Sequence, residues 1–199
     1  MEINIVFLGE PWPGKTQLIN VCCGSKFDES SPATPGFYFV NKAIEINNIE
    51  YNLLLWDNCG REQYRAMNKI LFKNSNFFIL VYDITRKDTF DNIYFWYDEI
   101  RATGKDAIIG VVGTKSDLFI YQEVETEVAE KFAYSIGAKF IEVSAKIDIE
   151  PFNKMLIELT KDYIKKYVDK NNESDDNNIV PKRPLKEFTK NTLLKFCKY

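Results

Sequence analysis

Residues 9–16, Gly9-Glu10-Pro11-Trp12-Pro13-Gly14-Lys15-Thr16, have the form G-x-x-x-x-G-K-[ST]. They follow the apolar run Ile3, Ile5, Val6, Phe7, Leu8 and precede a helical pattern from Gln17 to Cys22, so the motif lies where a strand gives way to a helix. Unsatisfied N–H groups and aligned peptide dipoles at such a helix start favour phosphate oxygens. The motif assigns Lys15 to the β and γ phosphates and the Thr16 hydroxyl to Mg²⁺, with Pro13, Gly14 and Gln17 completing the cradle.

Three further segments follow in order: Asp57 to Gly60 (DNCG), Thr114 to Asp117 (TKSD) and Ser144 to Lys146 (SAK). Asp57 ends the apolar strand Leu53-Leu54-Leu55-Trp56 and is placed to hold the metal. Gly60 follows at a spacing that lets a backbone N–H approach the γ phosphate. Asp117 carries the choice of base, because a carboxylate accepts from N1–H and the 2-amino group of guanine, a donor pair adenine lacks on that edge. Each short segment alone is weak. Placed after predicted strands and in this order, they describe a pocket for GTP or GDP and Mg²⁺.

Strand and helix patterns alternate from residue 2 to about 170, which predicts an α/β sheet with helices on both faces. Strands are expected near 2–8, 37–46, 50–56, 76–82, 107–113 and 139–143, and five helices near 15–23, 64–73, 88–103, 123–136 and 151–169. Asn47 and Asn48 suit a tight hairpin turn, making the second and third strands antiparallel and the rest parallel. All four segments then fall at the carboxyl ends of strands, where ligands of such sheets bind.

The 199 residues suit one domain, 1–170, followed by a polar linker, 171–180, and a final segment, 181–199. In that segment Lys182, Arg183, Lys186, Lys190, Lys195 and Lys198 stand against Glu187, and Leu185, Phe188, Leu193 and Phe196 fall roughly on one helical face. Such a segment suits an anionic membrane surface, a partner, or its own domain. The net charge of -3 gives no reason to expect nucleic acid as a main partner. No stretch approaches the roughly 20 apolar residues of a membrane span, and the N-terminus enters a strand at once, so a cytoplasmic protein is expected. There is no histidine, which excludes a Ser-His or Cys-His nucleophile. Cys22, Cys23, Cys59 and Cys197 show no metal-ligand spacing and read as free, mostly buried thiols.

From residue 2 to about 168 the chain resembles a small GTPase of the Ras superfamily, of the Rab branch, with a P-loop NTPase G domain. WDNCGRE resembles that branch's W-D-T-A-G-Q-E, LVYDIT its V-V-Y-D-V-T, and VSAK its T-S-A-K. The resemblance implies that Phe27 packs on the base and that Thr34 meets Mg²⁺ and the γ phosphate. It implies that the Lys115 stem stacks on the base and that Ala145 donates an N–H to guanine, with Thr114, Ser144 and Lys146 beside them. Phe39 and Trp56 match aromatics offered to effectors. Effector, exchange-factor and activating proteins would engage switch loops 27–39 and 57–73, which the γ phosphate orders. Membrane traffic is the implied setting.

Four departures qualify this. Arg61 replaces the glutamine that orients the attacking water, and arginine has no acceptor for that water. With Lys15, Thr34 and Gly60 it makes up the candidate catalytic set, and hydrolysis is expected to be slow. Pro11 and Pro13 remove donors from a loop that is glycine-rich in relatives. A lost phosphate contact costs about 1 to 3 kcal/mol. Thr114 replaces an asparagine, a change Rho-type relatives share. The chain ends Cys197-Lys198-Tyr199, neither a double cysteine nor a C-a-a-X box, so prenylation is not expected. The competing reading is a pseudo-GTPase that acts as a protein-binding module. An ATP-dependent P-loop enzyme conflicts with Asp117.

Overall fold

A computed structural model describes residues 1–32, 34, 36–58 and 71–169. Residues 1–163 belong to one compact unit. Its sheet has six strands: β1 (Glu2–Leu8), β2 (Phe37–Ile46), β3 (Ile49–Asn58), β4 (Phe77–Asp83), β5 (Ile108–Thr114) and β6 (Lys139–Val143). Their order is β2-β3-β1-β4-β5-β6. Only the β2–β3 pair is antiparallel. Asn47 and Asn48, between those strands, both have positive φ (53° and 60°), the backbone that a two-residue hairpin turn of primed type needs.

The helices are α1 (Lys15–Cys22), α2 (Lys87–Asp91), α3 (Ile93–Arg101), α4 (Thr126–Ser135) and α5 (Glu150–Tyr163), and residues 71–74 are also helical. The helix expected at 64–73 otherwise lies outside the described residues. All seven β4 residues are buried, as a central strand covered on two faces requires. Register shows the two faces. Phe7 pairs with Ile79 and meets Phe152 of α5 edge-on at 6.0 Å. Tyr82, three residues from Ile79 and so on the opposite face, meets Phe90 of α2 at 5.1 Å, and Phe90 in turn meets Phe132 of α4. Helices therefore cover both faces.

Boundaries shift for local reasons. The helix expected at 88–103 divides at Asn92 into α2 and α3. The one expected from 123 starts at Thr126, because the N–H groups of Glu123 and Val124 both donate to the Ile84 carbonyl. The expected 151–169 helix is α-helical through Tyr163, and residues Ile164–Asp169, in a separate unit, form a π-helix. A 3₁₀ turn, Ser116–Tyr121, follows β5 and buries none of its side chains.

Gly9 ends β1 at the point where β3 pairs on one side and β4 on the other, the switch point of the sheet. A Cβ at Gly9 would lie 2.2 Å from the Val81 carbonyl oxygen, and its φ is 148°. Only glycine lets the loop pass this close to β4. Among the described residues, no helix is long and apolar enough to cross a membrane.

Candidate functional site

The loop between β1 and α1 turns through Gly14, the N-cap of α1, whose φ is 90°. Lys15 opens the helix and is only 4% exposed. Its ammonium donates to the carbonyls of Gly9 (3.0 Å) and Glu10 (2.6 Å), so it is folded back across the loop that it caps. Thr114, at the end of β5, ties this loop down. Its hydroxyl is shared between the carbonyls of Pro13 and Tyr82. Arg86 reaches the Pro11 carbonyl at 3.4 Å. The prolines thus lack N–H donors, but their carbonyls anchor the loop. Trp12 between them has φ 74°, a left-handed conformation unusual for a bulky residue, and is 63% exposed.

Thr16, Thr34 and Asp57 converge. Thr16 Oγ1 is 2.6 Å from Thr34 Oγ1 and donates to Asp57 Oδ2 at 2.5 Å, and Thr34 Oγ1 lies 3.3 Å from the same carboxylate oxygen. Asp57 is fully buried, and its Oδ1 has no hydrogen-bond partner. Burial pushes its carboxyl up, opposed by the Thr16 hydroxyl, the Lys15 charge and the Thr34 hydroxyl. Tyr38 is pushed up to about 12, by burial and then by the Asp57 charge. A buried carboxylate oxygen without a partner beside two hydroxyls is a hard-oxygen set that fits Mg²⁺. Among the described residues no group of three or more His, Cys, Asp or Glu side chains could hold a metal. Mg²⁺ keeps several waters and is bound through one or two carboxylates together with phosphates, which one carboxylate and two hydroxyls would leave room for.

At the other end lie the TKSD and SAK segments. Lys115 has φ 62° and its ammonium binds Asp83 Oδ2 at 2.5 Å. Asp83 is fully buried, and its other oxygen accepts from the Thr85 N–H and hydroxyl. Ser144 Oγ accepts the N–H groups of Lys146 and Ile147, both at 3.2 Å, which shapes the turn after β6. Lys146 reaches across to Glu29 at 2.6 Å. Gln17 Oε1 accepts the Asp28 N–H at 3.1 Å and so holds the segment that carries Phe27.

One cavity of about 500 Å³ joins these parts, a volume typical of small-ligand sites. Pro13, Gly14, Lys15, Thr16, Gln17, Phe27, Thr34, Thr114, Lys115, Asp117, Ser144, Ala145 and Lys146 all line it. Asp57 reaches it through Thr16 and Thr34. Gly60 and Arg61 lie outside the described residues, as does all of 59–70 within the expected switch loop 57–73. Trp12, Glu29 and Leu118 also line the cavity. Asp83 escaped sequence reasoning, although LVYDIT drew attention as a segment. Its link to Lys115 joins two strand ends 32 residues apart and leaves no local pattern. Trp56, matched to aromatics offered to effectors, is 9% exposed, packs against Phe39 with the rings tilted and their centroids 4.7 Å apart, and donates to Asn4 Oδ1 at 2.9 Å.

Sheet order, the strand-to-helix loop at the switch point and the cavity along the strand ends define a P-loop protein with a G-domain fold. The Ras family model matches residues 4–165. Ras-related protein Rab-21 of Homo sapiens is 36% identical over 169 residues, covering 84% of this chain and 73% of the relative. Ras-related protein Rab-21 of Bos taurus matches equally, over 74% of its own length. Ras-related protein Rab-22A of Homo sapiens is 32% identical over 161 residues, 80% of this chain and 82% of the relative. The chain belongs to the Ras family and is a Rab-like small GTPase. Members of this family bind GTP and GDP with Mg²⁺ and act as nucleotide-dependent switches, the Rab members in membrane traffic.

Proposed function

We propose that this chain binds GTP and GDP in the described cavity and hydrolyses GTP slowly, so that it dwells in the GTP form. The convergence of residues from four separated segments on one cavity carries the binding part of this reading. The loop amides from Gly14 to Thr16 face the phosphates, and Lys15 exchanges its carbonyl partners for phosphate oxygens. Thr16, Thr34 and Asp57 are the residues to hold Mg²⁺, which when bound neutralises charge on the phosphates. Asp117 accepts from guanine. Lys115, aligned by Asp83, lays its stem on the base opposite Phe27, and Ala145 donates its N–H.

Slow turnover follows from Arg61, which cannot accept a hydrogen bond from the attacking water. Loss of such a positioned group costs on the order of 10²-fold in rate. Single-turnover hydrolysis by the full chain should therefore rise by about 10²-fold in Arg61→Gln. Equal rates in the two proteins would refute the slow-timer reading while leaving binding intact.

In this reading residues 1–170 are the switch domain, 171–180 a linker, and 181–199 a basic amphipathic segment suited to peripheral membrane contact on the cytoplasmic side. Effector, exchange-factor and activating proteins engage 27–39 and 57–73. A second reading, a binding module with no turnover, is favoured by the left-handed Trp12 between two prolines. It requires partner affinity to be the same with GTP, GDP or no nucleotide.

A further inference from the structure

The 3₁₀ turn Ser116–Tyr121 carries four large apolar side chains in a row, Leu118, Phe119, Ile120 and Tyr121, and buries none of them. Phe119 is 66% exposed, Ile120 78% and Tyr121 70%. An aromatic side chain buries about 150 to 250 Å² when covered, so at two-thirds exposure the two rings alone show roughly 200 to 330 Å². Ile120 adds to that. The largest apolar patch on a monomer is about 300 to 600 Å² and often marks a binding site.

The turn is exposed without being loose. The Leu118 N–H donates to the Lys115 carbonyl at 2.8 Å, and the Gln122 N–H to the Phe119 carbonyl at 3.2 Å. Just beyond, the Gln122 side-chain amide donates to the Val124 carbonyl (2.7 Å) and the Thr126 hydroxyl (3.1 Å), while the N–H groups of Glu123 and Val124 are fixed on Ile84. A surface already held in one shape loses little freedom when a partner covers it.

Charge selects the partner. Between Lys115 and Lys131 stand five carboxylates, Asp117, Glu123, Glu125, Glu127 and Glu130, and no lysine or arginine, in a chain whose net charge is only -3. Asp117 belongs to the nucleotide cavity. The four glutamates are exposed, and among the described residues none of them is in an ion pair. Glu123 accepts the Lys87 N–H at 3.0 Å, Glu125 is the N-cap residue of α4, and Glu127 stands in its first turn. Lys115 and Lys146, the cations of the neighbouring segments, are already held by Asp83 and Glu29. Such a surface repels anionic lipid and a second copy of itself, and it complements a partner that sets apolar side chains beside Lys or Arg.

We propose that the Leu118–Tyr121 turn is a docking surface for a basic amphipathic segment of a partner protein. Phe119, Ile120 and Tyr121 are its apolar anchors, and Glu123, Glu125 and Glu127 are its charged frame. The anchors meet the apolar stripe of the segment, where aromatic side chains dominate the energetics. The carboxylates meet the cations beside that stripe and so choose the partner and speed its encounter. Of this turn only Asp117 and Leu118 line the nucleotide cavity, and the expected switch loops 27–39 and 57–73 contribute no residue to the surface. The proposal therefore stands whatever the cavity binds.

The test pans a phage-displayed library of random peptides, about 16 residues or four turns of helix each, on the full chain. Peptides that also bind the Phe119→Ser, Ile120→Ser double variant are removed, which leaves those that need the two side chains. The retained peptides should be basic and carry apolar residues at helical spacing. As synthetic peptides they should bind Tyr121→Ser about 10-fold more weakly or worse. A Glu123→Gln, Glu125→Gln, Glu127→Gln variant, which keeps every backbone contact, should bind them about 3-fold more weakly or worse, a difference that high salt removes. An empty selection, acidic or uncharged peptides, or affinities that neither further variant changes would overturn the proposal. So would self-association of the full chain, or its sedimentation with phosphatidylcholine vesicles, that the double variant abolishes, because a second copy or a bilayer would then be the occupant.

Discussion

For Lys115 to serve the base as proposed, its ammonium needs an anchor, and the residue that holds it is Asp83. The 2.5 Å ion pair joins the TKSD loop to the end of β4, and Thr85 fixes the carboxylate from behind. Asp83 is fully buried while the Lys115 side chain is 37% exposed, so solvent screens the pair in part. A hydrogen bond to a charged group contributes about 1.5 to 3 kcal/mol. Asp83→Asn keeps the shape and removes the charge. Guanine nucleotide should then leave about 10-fold faster or more, measured as release of a fluorescent GDP analogue, and an unchanged rate would show that Lys115 needs no anchor. Thr114 gives a second lesson at this scale. Its hydroxyl, shared between the Pro13 and Tyr82 carbonyls, does structural work for the phosphate loop that its place in TKSD does not advertise. Thr114→Val removes that hydroxyl at nearly constant volume. It should weaken GDP binding about 5-fold or more in equilibrium titration through the freed loop, one neutral hydrogen bond being about 1 kcal/mol. Unchanged affinity would show the tie to be dispensable.

Among the elements, the β1–loop–α1 unit is the one the site depends on most. Its glycine at position 9 meets β4 so closely that a methyl group would lie 2.2 Å from a backbone oxygen. Backbone cannot move aside as a side chain can, so Gly9→Ala should destabilise by about 1 to 3 kcal/mol. For a chain of this size that lowers Tm by about 2 to 12 °C, measured by thermal unfolding with and without GDP, and an unaltered Tm would contradict the close approach. This unit was legible in sequence because its signal is local: an apolar run, a glycine-bounded motif and a helical period. The Asn47-Asn48 hairpin was legible for the same reason. The start of α4 was not. Glu123 and Val124 are compatible with a helix, but both of their N–H groups are taken by Ile84, some forty residues earlier. The division at Asn92 also leaves no pattern in the apolar spacing of residues 88–103.

For the whole molecule, the alternation of strands and helices fixes a sheet whose parallel strands all deliver their carboxyl ends to one edge. Residues of three of the four sequence segments line the cavity at that edge and Asp57 bonds to two of its threonines, which is why the candidate site could be read before the fold was known. Asp57 and Asp117 are legible because they stand at strand ends within motifs. Asp83, the Gln17–Asp28 contact and the Lys146–Glu29 bridge are not, because each joins distant positions through tertiary packing alone.

The central claim is that this cavity holds a guanine nucleotide despite Pro11, Trp12 and Pro13. It is tested most directly by purifying the full chain in Mg²⁺ without added nucleotide, denaturing it, and identifying what is released by chromatography. The account predicts about one guanine nucleotide per chain, with GTP making up a substantial share. Release of no nucleotide, or of an adenine nucleotide, would contradict it.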